Sequence, residues 1–344
     1  MSRRIGLMTG GGDAPGLNGI LESVSRALLR KGFEVVGIQD GFEGIFNEAN
    51  RIVSESDVLG LHSQAGTFLG TSNKSRTEGR EAEFLAKFRK LNLEGLVVAG
   101  GDGTFAGLRH FQQDVRLIGV PKTIDNDLAG TEITFGFDTA VSVVAEAADA
   151  LRATADAHRR VIIVEAMGRT AGWIALGGGL ASYADAILIP ERPYDEKDFF
   201  NFLRSKKAAG HRGLIVIAGE GAHAKGGSAE IAHVVPDSPQ AERLGGIAEK
   251  LARQIERETG WEARHVVLGH LQRARAPTTT DRFLTVAMGV EAARMVEEGA
   301  WDQAVVYRKG TVCRAPITDL MQPARLIPDN HRWLRMAQAL GIFA

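Results

Sequence analysis

The sequence predicts an α/β protein of two domains, each with a mostly parallel sheet flanked by helices. Three observations carry that prediction. Short, β-branched apolar runs alternate with stretches of helical periodicity, the pattern of strands joined by crossover helices. Glycine clusters follow two of the runs, where ligand-binding loops leave such sheets. The chain has 344 residues, and domains typically hold about 100–200.

Taken in order, strands are expected at Ile5–Thr9, Glu34–Ile38, Gly95–Ala99, Arg116–Val120, Val161–Glu165, Ala186–Pro190, Leu214–Ala218, His265–Leu268 and Ala304–Tyr307. Most are nearly continuous apolar runs, as expected of strands covered on both faces. After the first, Leu17, Ile20, Leu21, Val24 and Leu28 fall on one face of a helix. Val143, Val144, Ala147 and Leu151 repeat that spacing. Gly10–Gly12 follow the first strand and Gly100, Gly101 and Gly103 the third. Gly177–Gly179 lie in a helix-like stretch and read as close packing. Gly221–Gly245, with Pro236 and Pro239, reads as a surface insertion.

Composition excludes several classes. The 41 glycines show no Gly-X-Y period, so collagen is excluded. With 44% hydrophobic and 24% charged residues, disorder is excluded too. The 41 basic and 42 acidic residues nearly cancel, which gives no electrostatic basis for a nucleic-acid partner. A lone Cys313 can form no internal disulfide and points to a reducing compartment. The apolar stretch of the N-terminus is too short for a signal peptide, and no apolar run would span a membrane. A soluble cytoplasmic protein is expected.

Three motifs carry chemistry. TGGGDAPGLN, Thr9–Asn18, lies between a strand and a helix; its glycines let the backbone approach an anion, and the helix start donates N–H groups. It is neither a Walker A loop nor a dinucleotide fingerprint, and a plain tight turn is the alternative. In VVAGGDGT, Val97–Thr104, an acid among glycines could hold a divalent ion beside phosphates, or Asp102 could cap a helix. In GVPKTIDNDLAGTEITFGFDTA, Asp125 and Asp127 flank Asn126 directly after Pro121-Lys122-Thr123. Two carboxylates so close are costly unless a cation or a proton transfer uses them. Lys122 and Thr123 offer charge and a hydroxyl to a transferring phosphoryl group.

GGDGT followed by PKTIDND resembles the phosphofructokinase family, as do EAMGR at Glu165–Arg169, AGEG at Ala218–Gly221 and LGHLQR…P…DR at Leu268–Arg282. The motifs run in family order over roughly residues 5–282. The resemblance implies a phosphofructokinase-like fold. Residues 1–136 plus 272–322 would form the domain that binds ATP and Mg²⁺, and residues 137–271 plus 323–344 the sugar-phosphate domain. It implies a glycolytic kinase that moves a phosphoryl group from ATP to the C1 hydroxyl of fructose 6-phosphate. Asp125 would be the general base, with Asp127 orienting it. Asp102 would hold Mg²⁺ against the donor phosphates. Thr123, Lys122 and Arg169 would stabilise the transferring group. Gly11, Gly12, Gly101, Gly103 and Thr104 would line the donor site. Met167, Gly168, Glu220, His270 and Arg273 would bind the sugar phosphate. Arg160 and Arg264 would reach it from a neighbouring subunit, which implies a homodimer or homotetramer. Glu165 receives no role, and the four tryptophans read as packing.

The donor turns on two positions. Pyrophosphate-using relatives usually place an aspartate after the metal-binding Asp, where it would clash with the nucleotide α-phosphate; here that residue is Gly103. Lys122 is the residue pyrophosphate enzymes carry. The pair resembles the long-clade ATP-dependent group, and the open Gly103 favours ATP. Pyrophosphate dependence, a non-catalytic sensor of the same fold and a kinase for another acceptor are the alternatives. The chain also departs from the family pattern. Asn73, followed by Lys74 and Arg76, stands where a donor-binding arginine is usual, and Ala274-Arg275 replaces Gly-Gly. At the bacterial effector site Arg26, Arg152 and Asp185 match. Glu22 and Glu55 stand for arginines and His211 for a lysine, so that regulation is expected to be absent or altered.

Overall fold

The computed structural model describes residues 3–72, 77–234 and 242–344. Its strands are β1 Arg4–Thr9, β2 Glu34–Ile38, β3 Asn50–Val53, β4 Gly95–Gly100, β5 Leu117–Pro121, β6 Val161–Ala166, β7 Ala186–Leu188, β8 Leu214–Gly219, β9 Ile231–Val234, β10 Glu242–Leu244, β11 Ala263–Val267, β12 Gln303–Arg308 and β13 Thr311–Pro316. One sheet has seven strands in the order β13-β12-β5-β4-β1-β2-β3, and a second has four in the order β11-β6-β8-β7. Pairing is parallel throughout the second sheet; in the first only the edge strands β3 and β13 run antiparallel.

Each expected strand forms, with small shifts. The eighth begins at Ala263 and ends at Val267, and the sixth stops at Leu188 because Ile189 bridges back to Arg192 around Pro190. β3, β9, β10 and β13 were not expected. β3 and β10 are short and carry charged residues, and β9 and β10 pair antiparallel inside the surface insertion.

Burial on both faces explains the continuous apolar runs. Leu7, Val97 and Val120 pack with the helices Leu17–Leu29 and Thr279–Glu298, while Met8, Val98 and Leu117 pack on the opposite face with Phe84, Phe105 and Phe111. The second sheet is sandwiched likewise, its inner face on the helices Phe137–His158 and Trp173–Ala181. In the latter helix a Cβ on Gly178 would lie 2.5 Å from Val144 Cγ1 and one on Gly179 2.6 Å from Ile187 Cγ1, so both glycines serve close packing.

In the large sheet the chain lays β2 on one side of β1 and returns to place β4 on the other. That is a topological switch point, where a crevice opens beyond the carboxyl ends of the strands. Both glycine turns, after β1 and after β4, border that crevice. Among the described residues no helix is long and apolar enough to cross a membrane.

Candidate active site

The two glycine turns interlock through Thr104. A Cβ on Gly10 would sit 2.7 Å from Thr104 Oγ1, and one on Gly100 2.5 Å from Thr104 Cγ2. Asp102 opens the helix Asp102–Leu108; the cap residue is Gly101, and no side chain caps this end. The capping explanation for Asp102 therefore fails, and its carboxylate stands exposed at the helix start.

Beside these turns, β5 delivers Lys122 and the Asp pair. Lys122 is 3% exposed, and its Nζ donates to the carbonyl of Gly12. Burial, then the neighbouring Arg273, brings its pKa down to about 8, against the pull of Asp125, Asp102 and Asp13. Thr123 Oγ1 accepts from Asp125 N at 3.0 Å. Asn126 takes a left-handed φ of 53°, and its Oδ1 accepts from Thr134 N at 3.0 Å. Asn126 thus performs the turn chemistry and leaves the two aspartates to other work. Asp125 Oδ1 is buried and accepts no hydrogen bond among the described residues. Burial raises Asp125, which the charges of Arg273 and Lys122 oppose. Burial, then the charges of Asp125 and Asp102, raises Asp127 to about 7. The charge of Asp102 raises both buried aspartates, and Asp102 itself is the exposed carboxylate of the three.

Arg273 reaches the same loop: its Nη1 donates to Asp13 O at 2.5 Å and lies 3.1 Å from where a Gly12 Cβ would be. Gly11, with φ of +78°, would bring a Cβ to 3.4 Å from Lys122 Nζ. Gly101 and Gly12 line the same turns, and a Cβ on Gly103 would meet nothing within 4 Å. Asn73 and Lys74 lie outside the described residues.

The carboxyl ends of the second sheet form the other wall. After β6, Gly168 (φ 136°) and Arg169 (φ 56°) make a strained turn. Glu220, after β8, holds it by accepting from Arg169 N at 2.9 Å. Burial raises Glu220 to about 7, which its bonds from Arg169 and Gly168 oppose. A Cβ on Gly221 would lie 2.1 Å from Arg169 O, so the second glycine of AGEG is required by backbone contact. Met167 N donates to Oε1 of the fully buried Gln272 at 3.2 Å. His270 is exposed at the start of the short helix Leu271–Ala274 and is no core histidine.

Arg160 and Arg264 come together, but elsewhere. Arg160 pairs with Glu262 at 3.4 Å and Arg264 with Glu262 at 2.7 Å. Both lie at the amino ends of their strands, whereas Met167 and His270 follow the carboxyl ends. Six strand residues separate Arg160 from Met167, a rise of about 20 Å. Within one chain the two arginines do not share the site with Met167–Arg169.

Several residues gain roles that sequence reasoning missed. Glu165 accepts from Gly246 N and Ala248 N and caps the helix Ile247–Thr259. Asp281 accepts from Thr139 N at 2.9 Å and Thr139 Oγ1 at 2.5 Å, fixing the start of the helix Phe137–His158. Only the DR dipeptide hinted at it. At the expected effector position, Arg26 is held by Glu22 at 2.9 Å and Glu55 at 3.4 Å, and Arg152 by Asp185 at 2.5 Å. The acids there are paired with the arginines they accompany.

Similarity to known proteins identifies the family. A sequence model of the phosphofructokinase family matches residues 4–296. The chain is 38% identical to ATP-dependent 6-phosphofructokinase 2 of Streptomyces coelicolor, covering 99% of this chain and 100% of that one. It is 37% identical to ATP-dependent 6-phosphofructokinase 2 of Clostridium perfringens, over 99% and 98% of the two chains. The structure superposes on phosphofructokinase of Pichia pastoris in the T-state with a TM-score of 0.82 and 28% identity; the match covers 99% of this chain but 37% of that longer one. With the glycine turns, the Asp-Asn-Asp loop and the Met-Gly-Arg turn brought to one cleft, this chain belongs to the phosphofructokinase family.

Proposed function

We propose that this chain transfers the γ-phosphoryl group of ATP to the C1 hydroxyl of fructose 6-phosphate, forming fructose 1,6-bisphosphate in cytoplasmic glycolysis. The carrying observation is the Asp125–Asp127 pair, set beside buried Lys122 and between two glycine turns. Asp125 takes the hydroxyl proton on its free Oδ1, and burial makes it a stronger base than an exposed carboxylate. Asp127 keeps that carboxylate basic through its own charge. Lys122, Thr123 and Arg169 face the charge on the phosphoryl group, and the rest of catalysis is positioning.

Among the described residues no three carboxylates gather closely enough to hold a metal by themselves; the exposed Asp102 would hold Mg²⁺ together with donor phosphate oxygens, where the ion would neutralise charge on the transferring group. Gly103 supports ATP, since a side chain there would project into open space and none is present. The names of the full-length relatives support the same donor.

The donor lobe would comprise residues 1–136 plus 272–322, and the sugar lobe 137–271 plus 323–344. Met167, Gly168, Glu220, His270 and Arg273 would bind the sugar phosphate. Arg160 and Arg264 would complete the site of a neighbouring subunit, in a homodimer or homotetramer. Their place at the far ends of β6 and β11 supports that reading. The deciding experiment is a coupled assay on the purified protein comparing ATP with pyrophosphate at saturating fructose 6-phosphate. Equal or greater turnover with pyrophosphate would overturn the donor assignment.

A further inference from the structure

Arg325 belongs to no sequence motif and lies beyond the family match, which ends at residue 296. Its surroundings are unusual for an arginine. It is half-buried, forms no ion pair among the described residues, and its Nε has no hydrogen-bond partner there. A desolvated cation without a carboxylate partner is poor value as a stabilising device. Its bonds go instead to backbone carbonyls of the catalytic turn. Nη2 donates to Asn126 O at 2.6 Å and to Glu132 O at 3.1 Å. Its own backbone N donates to Asp127 O at 2.6 Å. One residue thus holds two successive carbonyls of the Asp-Asn-Asp turn. That turn contains a left-handed Asn126, whose side chain accepts from Thr134 N while its carbonyl accepts from Arg325.

The other side of Arg325 faces Trp173, on a helix packed against the second sheet. Its guanidinium lies 4.2 Å from the ring centroid of Trp173, and Trp173 Nε1 donates to Arg325 O at 2.8 Å. Trp173 opens its helix four residues after Arg169. Two residues on, Ile327 N donates to Glu191, whose carboxylate also accepts from Gly172 N just before that helix. The segment around Arg325 is therefore pinned to the turn that presents Arg169, and from there it reaches across to the turn that presents Asp125.

We propose that Arg325 is a positioning residue for phosphoryl transfer, which sets the Asp125–Asp127 turn at a fixed place against the Met167–Arg169 turn. The inference rests on the phosphofructokinase reading above. Removing the side chain leaves the backbone bond to Asp127 O and the Asn126 Nδ2 bond to Glu132 O, but frees the Asn126 carbonyl. The base then loses its register with the acceptor hydroxyl, while both substrate sites keep their own contacts.

The test compares Arg325→Ala, Arg325→Met and Arg325→Lys in steady-state assays with ATP and fructose 6-phosphate. Thermal melting is followed in parallel. Arg325→Ala is expected to lose about tenfold to a hundredfold in kcat, with both KM values within about threefold of wild type. Millimolar guanidinium chloride should restore part of that loss in Arg325→Ala, relative to sodium chloride at equal ionic strength. It should not do so in Arg325→Met, whose side chain fills the space. Arg325→Lys should fall between Met and wild type.

A kcat for Arg325→Met within about threefold of wild type would overturn the proposal. So would a loss in Arg325→Ala that guanidinium leaves unchanged. If Arg325→Ala does not fold, the Lys and Met variants decide, and a Lys variant no better than Met would overturn it. An inert wild-type protein would overturn the functional reading and this inference together. An active wild type with unaffected variants would overturn this inference alone.

Discussion

Replacing Gly103 by aspartate isolates the donor argument from every structural side effect. Gly103 is the second residue of the helix Asp102–Leu108; it is exposed, and its added Cβ would meet nothing within 4 Å. Its backbone lies outside the left-handed region that would strain a side chain. An acid in a first helical turn gains about 0.3–1 kcal/mol from the helix dipole, and leaving glycine gains a few tenths more. Repulsion from Asp102 takes back a similar amount, so the Gly103→Asp protein should melt within a few degrees of wild type. Catalysis should respond differently. A carboxylate set about 4 Å from a donor phosphate charge costs about 1 kcal/mol at the dielectric of water and about 4 kcal/mol at the effective value near protein surfaces. That range is about fivefold to a thousandfold in kcat/KM for ATP. Pyrophosphate has no third phosphate to meet the new charge and should lose much less. The assay couples fructose 1,6-bisphosphate formation to NADH oxidation, with each donor varied in turn. Equal losses with ATP and pyrophosphate would refute the steric and electrostatic argument, and so would undiminished use of ATP.

Asp125→Ser should lower kcat at least about a hundredfold with little change in either KM, as loss of a general base does; a loss under about tenfold would remove Asp125 from that role. The pH dependence of kcat/KM should be bell-shaped. Asp127 is raised to about 7 by burial and by Asp125 and Asp102, so the ionised pair is lost as pH falls through that region. Lys122, lowered to about 8, loses its charge as pH rises through that value. Asp127→Asn removes the like charge and should move the acidic limb to lower pH; an unmoved limb would contradict the coupling. Gly221→Ala drives a Cβ to 2.1 Å from Arg169 O. The backbone must shift at a cost of about 1–3 kcal/mol. The KM for fructose 6-phosphate should rise about fivefold or more and Tm should fall; unchanged values for both would refute the contact argument.

The parts of this protein that were legible in sequence are those whose chemistry is local. A glycine turn after a strand, an Asp-Asn-Asp loop and a Met-Gly-Arg turn each state their geometry within a few residues. The apolar runs of β1, β4 and β5 announce strands because both faces are buried. What escaped is joined across long sequence distances. Asp281 meets Thr139 from 142 residues away, Glu165 meets Gly246 from 81, and Arg325 meets Asn126 from 199. No periodicity encodes such pairs. The edge strands β3 and β13 escaped for another reason: half-exposed and antiparallel, they carry polar residues that read as loop.

The same distinction explains how two cations beside the first glycine turn are placed. Lys122 and Arg273 lie 151 residues apart in sequence, yet both donate to carbonyls of one turn, Gly12 O and Asp13 O. Each carbonyl supplies a weak, neutral partner. That fixes the position of the cation without neutralising it, as a carboxylate would. A phosphate oxygen is the stronger partner, because a bond between two ions is roughly twice as strong as one to a neutral acceptor. On the proposed reading, exchanging carbonyl for phosphate would gain energy while the side chains move little, because the ordering cost is met in folding. Glycine at positions 11 and 12 is what permits this arrangement. A side chain on Gly12 would stand 3.1 Å from Arg273 and one on Gly11 3.4 Å from Lys122, crowding the space in front of both cations.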